Sequence, residues 1–308
     1  MRGIDRSVFL PYERDFLPGE PLSRYAFALC GGPCCGLFRV SDSEMLVRLV
    51  RLCIENELPY RVFGGLTNVL VCDEGYDGIV LLNRKGSIEQ ISGDPERAVL
   101  RVSSGTAAAA VVRYAMENGL CGFEWAAGLP GTVGGAVYGN AGAFGSDISK
   151  VCRAVTLIDQ DGEVRRLSSE EMKFAYRSSV LKRGNRAGVL LSAEFELAAG
   201  DKAEISALCE KNRAARKASQ PVEEHSLGSV FKNPEGESAG KLIQTAGLKG
   251  VSIGKAAVSM KHANFITVEE GVNAADYHRL VEHVQKTVFE RFGIRLEPEI
   301  EMLGFEAK

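Results

Sequence analysis

The chain has 308 residues, 45% apolar and 25% charged, with 37 basic against 40 acidic side chains for a formal net charge of −3. At roughly 150 residues per domain this is a globular protein of about two domains, and the composition excludes disorder, collagen-like repeats and a coiled coil. A pI of about 6.0 argues against a nucleic-acid partner. No apolar run approaches the ~20 residues that span a bilayer, and MRGIDRSVFLPYERDF has no signal-peptide core, so the chain reads as cytoplasmic with no membrane partner.

Ser43 to Glu57 predicts the first helix: Met45, Leu46, Leu49, Val50, Cys53 and Ile54 recur at three- and four-residue spacing, and Pro59 follows. Short β-type runs come next at Arg61–Phe63, Val69–Cys72 and Ile79–Leu82, separated by glycine turns, and then at Ala98–Ser103. Thr106 is the expected cap of a helix running to Asn118, with Gly119 past its end. Val151–Ile158 and Glu163–Leu167 flank Asp159-Gln160-Asp161-Gly162, a hairpin signal. Ser168 and Glu171 read as the capping box of a short helix.

Gly188–Leu197 is a predicted strand, and Asp201–Ser219 a charged helix leading to a composition shift at Gln220-Pro221. A helix at Ser238–Ala246 and strands near Ala256–Ser259 and Asn264–Val268 follow. A long amphipathic helix runs from Asn273 to Phe292, with Tyr277, Leu280, Val281, Val284 and Val288 on one stripe and Gly293 as its stop. The whole is α+β in two parts, residues 1–200 and 201–308.

The eight cysteines form no C-x-x-C pairs and have no histidine close to the Cys30, Cys34, Cys35 group, so they read as reduced, structural thiols and no metal site is expected.

Seven glycines fall within the eighteen residues GLPGTVGGAVYGNAGAFG, from Gly128 to Gly145. Glycine allows positive φ and close approach of backbone to another object, and a backbone so stripped of side chains offers its N–H groups to an anion. A set of tight turns is the bland alternative. The shorter loop Phe63-Gly64-Gly65-Leu66-Thr67-Asn68 has the same character, glycines with a hydroxyl and an amide and no charge. Two such loops suggest a dinucleotide held along its length. The familiar nucleotide motifs fail: G-x-G-x-x-G is absent from both loops, and GESAGK has one residue too few and Leu242 in place of the P-loop hydroxyl. G-x-S-x-G and H-E-x-x-H are absent as well.

FGGLTNVLVCDEGYDGIVL and GFEWAAGLPGTVGGAVYGNAGAFG resemble the two flavin-binding segments of the UDP-N-acetylenolpyruvoylglucosamine reductase (MurB) family, whose FAD domain is of the vanillyl-alcohol-oxidase or PCMH type. The likeness continues through FAYRSSVLK, GSVFKNP, AGKLIQTAGLKG, SMKHANFI and LEPEIEMLG, from about Leu22 onward. The chain departs from the pattern at Leu66 and Thr67, where Gly and Ser are usual, at Gly139, and at TVEEG. The resemblance implies a PCMH-type FAD-binding domain over 1–200 and a smaller α+β substrate-binding domain over 201–308. It implies bound FAD and NADPH, reduction of UDP-N-acetylglucosamine enolpyruvate to UDP-N-acetylmuramate, and no obligate protein partner. Another FAD oxidoreductase on the same scaffold and a non-catalytic nucleotide-binding module are the alternatives.

By the same resemblance, the FAD contacts are Gly64, Gly65, Thr67, Asn68, Gly128, Pro130, Gly131, Thr132, Gly134, Gly135, Asn140 and Gly142. Ser229 matches the proton donor, Arg177 the arginine that pairs with developing carboxylate charge, and Glu299 the remaining catalytic residue. Taken alone they read as a turn serine, a surface salt bridge and a strand-end charge. Lys232, Asn233 and Lys241 are implied substrate contacts, and Lys249, Lys261 and His262 candidates for the diphosphate.

Overall fold

The computed structural model describes residues 6–92, 94 and 96–305. The chain forms two compact units, each assembled from separate stretches: Met1–Leu17, Gly36–Gly65 and Gly78–Ala215 in one, Pro18–Cys35, Leu66–Asp77 and Arg216–Lys308 in the other. The sequence reading drew a single cut after residue 200. Both units mix helix and strand, the two-part α+β architecture expected.

The first unit holds two sheets. A four-stranded sheet orders Phe16–Pro18, Cys34–Val40, Tyr76–Asn83 and Tyr60–Phe63, the last two parallel. Helix α1 (Ser43–Glu55) is capped by Asp42, whose carboxylate accepts from Met45 N at 2.8 Å. Its Leu46, Leu49, Val50 and Cys53 are buried with Phe9, Phe38, Ile79 and Leu81. Each large apolar side chain so buried contributes roughly 1.5–3 kcal/mol of transfer free energy.

The other sheet is antiparallel and orders Val164–Ser168, Cys152–Asp159, Gly188–Ala199, Arg97–Ser103 and Ile88–Gln90. Its core includes Leu100, Phe195, Trp125, Val111 of α2 (Ala108–Asn118) and Val137 of α3 (Val133–Tyr138). Gly119 ends α2 in the left-handed region at φ 67°.

Two local expectations fail here. The N-cap of α2 is Ala107, without a side-chain hydrogen bond; the Thr106 hydroxyl instead donates to Ser87 O at 3.2 Å. The Ser168–Glu171 pair makes both bonds of a capping box, Ser168 N to Glu171 Oε2 at 2.8 Å and Glu171 N to Ser168 Oγ at 3.2 Å. The chain after it is turns, not helix, because Lys173 at φ 45° and Arg177 at φ 53° leave the right-handed region.

Helix α4 (Lys202–Ser219) starts at Asp201, which accepts from Ala203 N and Glu204 N. In the second unit, α5 (Ala239–Thr245) is capped by Ser238, and α6 (Ala274–Phe292) by the carboxylate of Asp73, which takes Ala274 N at 2.8 Å and Ala275 N at 3.0 Å. Tyr277, Leu280, Val281, Val284 and Val288 of α6 are buried with Ala28, Cys30, Leu70 and Phe231. The antiparallel sheet of this unit orders His225–Ser229, Phe265–Val268, Ala256–Val258 and Ser252–Ile253. Apart from it, Glu301–Leu303 pairs in parallel with Val69–Val71.

All eight cysteines are free thiols. Burial pushes Cys30, Cys53 and Cys152 up to about 12, so these three stay protonated at neutral pH.

Candidate active site

In the first unit Gly64 of the shorter glycine loop packs against Thr132 of the longer one. A side chain on Gly64 would collide with Thr132, lying 2.8 Å from its Cγ2 and nearer still to its hydroxyl, so only glycine lets the loops pack. Arg84 donates Nε to Gly64 O at 3.0 Å and Nη2 to Gly65 O at 3.2 Å. A trans peptide sets N–H opposite C=O, so the N–H groups of Gly65 and Leu66 are turned away from Arg84. Among the described residues neither of them, nor Thr67 N, donates a backbone hydrogen bond.

The longer loop is pinned by its ends. Ala108 N donates to Gly131 O (3.0 Å), Val133 N to Thr106 O (2.9 Å) and Gly134 N to Ser104 O (2.8 Å). Gly128 and Gly131 take φ of 78° and 99°, and the amides of Gly128, Gly131 and Gly135 donate no backbone bond among the described residues. Neutral loops with undirected N–H groups fit the diphosphate of a dinucleotide. Leu66, where the family usually has glycine, is buried at φ 49°, the conformation that glycine adopts without strain.

The segment around Arg177 is bound to the end of this loop. Asn140, itself at φ 45° and buried, donates Nδ2 to Ala175 O (3.0 Å) and accepts from Ser149 N (3.1 Å). Ser179 donates its hydroxyl to Tyr138 O at 2.7 Å, and Arg177 donates Nη2 to Gly142 O at 2.8 Å. Ala175 and Ser178 exchange backbone bonds at 3.0 Å, so Arg177 sits at the tip of a tight turn in a left-handed conformation. A bulky residue held at positive φ is strained, and such strain gathers at functional positions. The anchoring fixes one edge of the guanidinium and with it the plane of the fork.

In the second unit the structure brings Ser229, Lys232 and Glu299 together. The strand His225–Ser229 shifts register against Phe265–Val268 between Ser226 and Ser229, with Gly228 at φ 77°, and Ser229 pairs with Phe265. Beyond it, Val230 to Lys232 run antiparallel to Glu297–Glu299: Glu299 N donates to Val230 O at 2.8 Å, Lys232 N to Glu297 O at 2.9 Å, and Phe231 bridges Pro298. Glu299 therefore lies opposite Val230, the residue after Ser229, and both Ser229 and Glu299 are half-buried. Asn68 extends the arrangement, donating Nδ2 to Glu299 O (3.1 Å) while its own carbonyl accepts from Glu301 N (2.9 Å).

The remaining substrate candidates divide. Lys232 is ion-paired with the exposed Glu297. Asn233 accepts from Ala239 N at 3.0 Å at the start of α5, and Lys241 is exposed on that helix. Lys261 donates Nζ to Lys217 O at 2.6 Å, closing the last turn of α4. His262 accepts from Asn264 N through Nδ1 (3.2 Å), and burial holds its imidazole below the usual histidine range. Sequence reasoning missed Arg84 and Asn264, whose partners lie 20 and 33 residues away.

Two family models match separate parts of the chain. Residues 36–168 match the FAD binding domain family, and residues 220–303 the C-terminal domain of UDP-N-acetylenolpyruvoylglucosamine reductase. Fold, loops and matched domains together define an FAD-containing oxidoreductase. The reductase of Pediococcus pentosaceus is 39% identical over 304 residues, covering 98% of this chain and 99% of its own. That of Listeria monocytogenes is 40% identical over 286 residues, 92% of this chain and 94% of the relative. The crystal structure of UDP-N-acetylenolpyruvylglucosamine reductase (MurB) from Thermus caldophilus superposes with a TM-score of 0.77 at 34% identity, over 94% of this chain and 98% of that one. The chain belongs to the UDP-N-acetylenolpyruvoylglucosamine reductase family.

Proposed function

We propose that this protein is the NADPH-dependent flavoenzyme that reduces UDP-N-acetylglucosamine enolpyruvate to UDP-N-acetylmuramate for peptidoglycan synthesis, acting in the cytoplasm. Family membership over nearly the whole chain supports the reaction, and among the described residues no helix is long and apolar enough to cross a membrane. The observation that carries the reading is the Ser229–Glu299 pair, held on adjoining strands within the matched reductase domain.

FAD would be held by the loops Gly64, Gly65, Thr67, Asn68 and Gly128 to Gly142, within residues 1–200, and substrate by residues 201–308. When bound and reduced by NADPH, FAD supplies the hydride that adds to the enolpyruvyl double bond. Negative charge then builds on the adjacent carbon and its carboxylate. Arg177 offers a planar fork to that carboxylate. The Ser229 hydroxyl delivers the proton, for which position matters more than acidity, since the acceptor is a strongly basic enolate. Glu299 supports the same step in a hydrogen-bond-donating form. Lys232, Asn233 and Lys241 orient the sugar nucleotide.

The test is the visible spectrum of the purified holoprotein under anaerobic conditions. A yellow flavin band should bleach with NADPH and return on addition of the enolpyruvyl substrate. A colourless protein would support a non-catalytic binding module, and a bleached band that fails to return would support another flavin oxidoreductase.

A further inference from the structure

Glu299 is joined to the chain of Ser229 through the main chain of Val230 and Phe231, and that two-residue tile has a second edge. After the register shift at Ser226–Ser229 the strand still pairs Ser229 with Phe265, and the ladder with Phe265–Val268 ends there. Asn264 takes the partner's place. Its carboxamide donates Nδ2 to Phe231 O at 2.8 Å and accepts from Phe231 N at 3.0 Å, while its backbone carbonyl accepts from Val230 N at 2.8 Å. One side chain thus satisfies both main-chain groups of Phe231, a task that needs a donor and an acceptor at a fixed reach. The opposite edge of the tile holds Glu299 N on Val230 O. Asn264 is 4% exposed, buried behind the tile.

We infer that Asn264 is a positioning residue for proton delivery, setting Ser229 and Glu299 relative to one another through the Val230–Phe231 backbone. Ser229 is covalently continuous with the tile, and Glu299 is hydrogen-bonded to it. Aspartate would keep the acceptor toward Phe231 N but lose the donor to Phe231 O. Serine would reach neither group. This inference rests on the proposed catalytic roles of Ser229 and Glu299.

The experiment is a double-mutant cycle in the FAD-loaded enzyme, combining Asn264→Ser or Asn264→Asp with Ser229→Ala. The rate of flavin reoxidation by the enolpyruvyl substrate and the half-saturating substrate concentration are measured below each variant's melting temperature. FAD content and melting temperature are recorded alongside. In the parent background each Asn264 change should slow reoxidation about tenfold or more, with half-saturation and NADPH-driven flavin reduction little altered. In the Ser229→Ala background the same change should cost no more than about threefold, because residues acting as a unit are non-additive. Equal losses in the two backgrounds would overturn the inference, as would loss of FAD from both Asn264 variants. If Ser229→Ala alone leaves reoxidation untouched, the catalytic reading itself fails, a result distinct from either of these.

Discussion

Gly64 and Thr132 belong to different glycine loops, and the α-carbon of the first lies against the side chain of the second. Gly64 is not at positive φ, so its glycine serves the contact between loops and not the backbone conformation. Gly64→Ala should therefore act by overpacking alone, destabilising by about 1–3 kcal/mol and weakening FAD retention. Adding Thr132→Ala removes the two closest atoms, leaving only Cβ at 3.0 Å, and should restore most of the stability but not the FAD retention, to which Thr132 itself is assigned. Melting curves with and without added FAD for the single and double variants check this. No recovery in the double variant would show that the contact is not what requires glycine.

Ser229→Ala should separate the half-reactions. NADPH should reduce the flavin at a near-normal rate, while reoxidation by substrate falls by about 10²–10⁴-fold, the usual worth of a general acid. Stopped-flow absorbance of each step distinguishes this from a structural role, in which both steps would slow alike.

Glu299 and Glu297 make an internal control. Glu297 is exposed and its partner is Lys232, a surface pair worth about 0–1 kcal/mol, so Glu297→Ala should leave reoxidation within a few-fold of normal. Glu299→Ala should lose most of the activity, and Glu299→Gln less, because an amide still donates. Single-turnover reoxidation in the three variants decides. Equal losses at the two positions would mean that the tail acts through folding.

Glu194 gives a pH prediction away from the site. Arg166 at 2.7 Å and Arg101 at 3.3 Å hold its carboxyl below the usual glutamate range, chiefly through the Arg166 hydrogen bond. A lowered folded-state value means stability present above the unfolded value and lost as pH falls through the folded one. Glu194→Gln should lower stability at neutral pH by about 1 kcal/mol and flatten the decline in acid. Urea midpoints from pH 7 to pH 3 measure both, and parallel curves for parent and variant would refute the linkage.

Tyr277 is fully buried in α6, and among the described residues its hydroxyl has no hydrogen-bond partner. A buried hydroxyl left unmatched carries its full desolvation penalty. Tyr277→Phe should therefore be neutral or stabilising, by up to about 1 kcal/mol, as read from the melting temperature. A clear loss of stability would show that the hydroxyl does find a partner.

What could be read from the sequence was whatever depends on neighbours within a few residues. α1 and α6 followed from apolar spacing and from the stops at Pro59 and Gly293, and the Asp159–Gly162 hairpin from its turn residues. Thr106 misled because its hydroxyl found a distant carbonyl, Ser87 O, in place of its own helix. The capping box at Ser168 was real but local, and the turn held by Asn140 overrode it. Ser229 and Glu299 were visible as motifs. What sets them side by side was not, because Asn264 and Asn68 act on backbone groups 33 and 231 residues away.

The parallel pairing of Glu301–Leu303 with Val69–Val71 has a consequence for biosynthesis. The second unit begins at Pro18 yet includes residues up to the C-terminus. Its early segments emerge from the ribosome some two hundred residues before their partners do. Until α6 is made, Leu70, Ala28 and Cys30 lack the apolar cluster they share with it, and until Glu301–Leu303 follows, the strand Val69–Val71 shows an open edge. Non-local closure of this kind is slow and exposes apolar surface meanwhile. Deleting Glu301–Leu303 would leave the Val69–Val71 edge open in the folded protein.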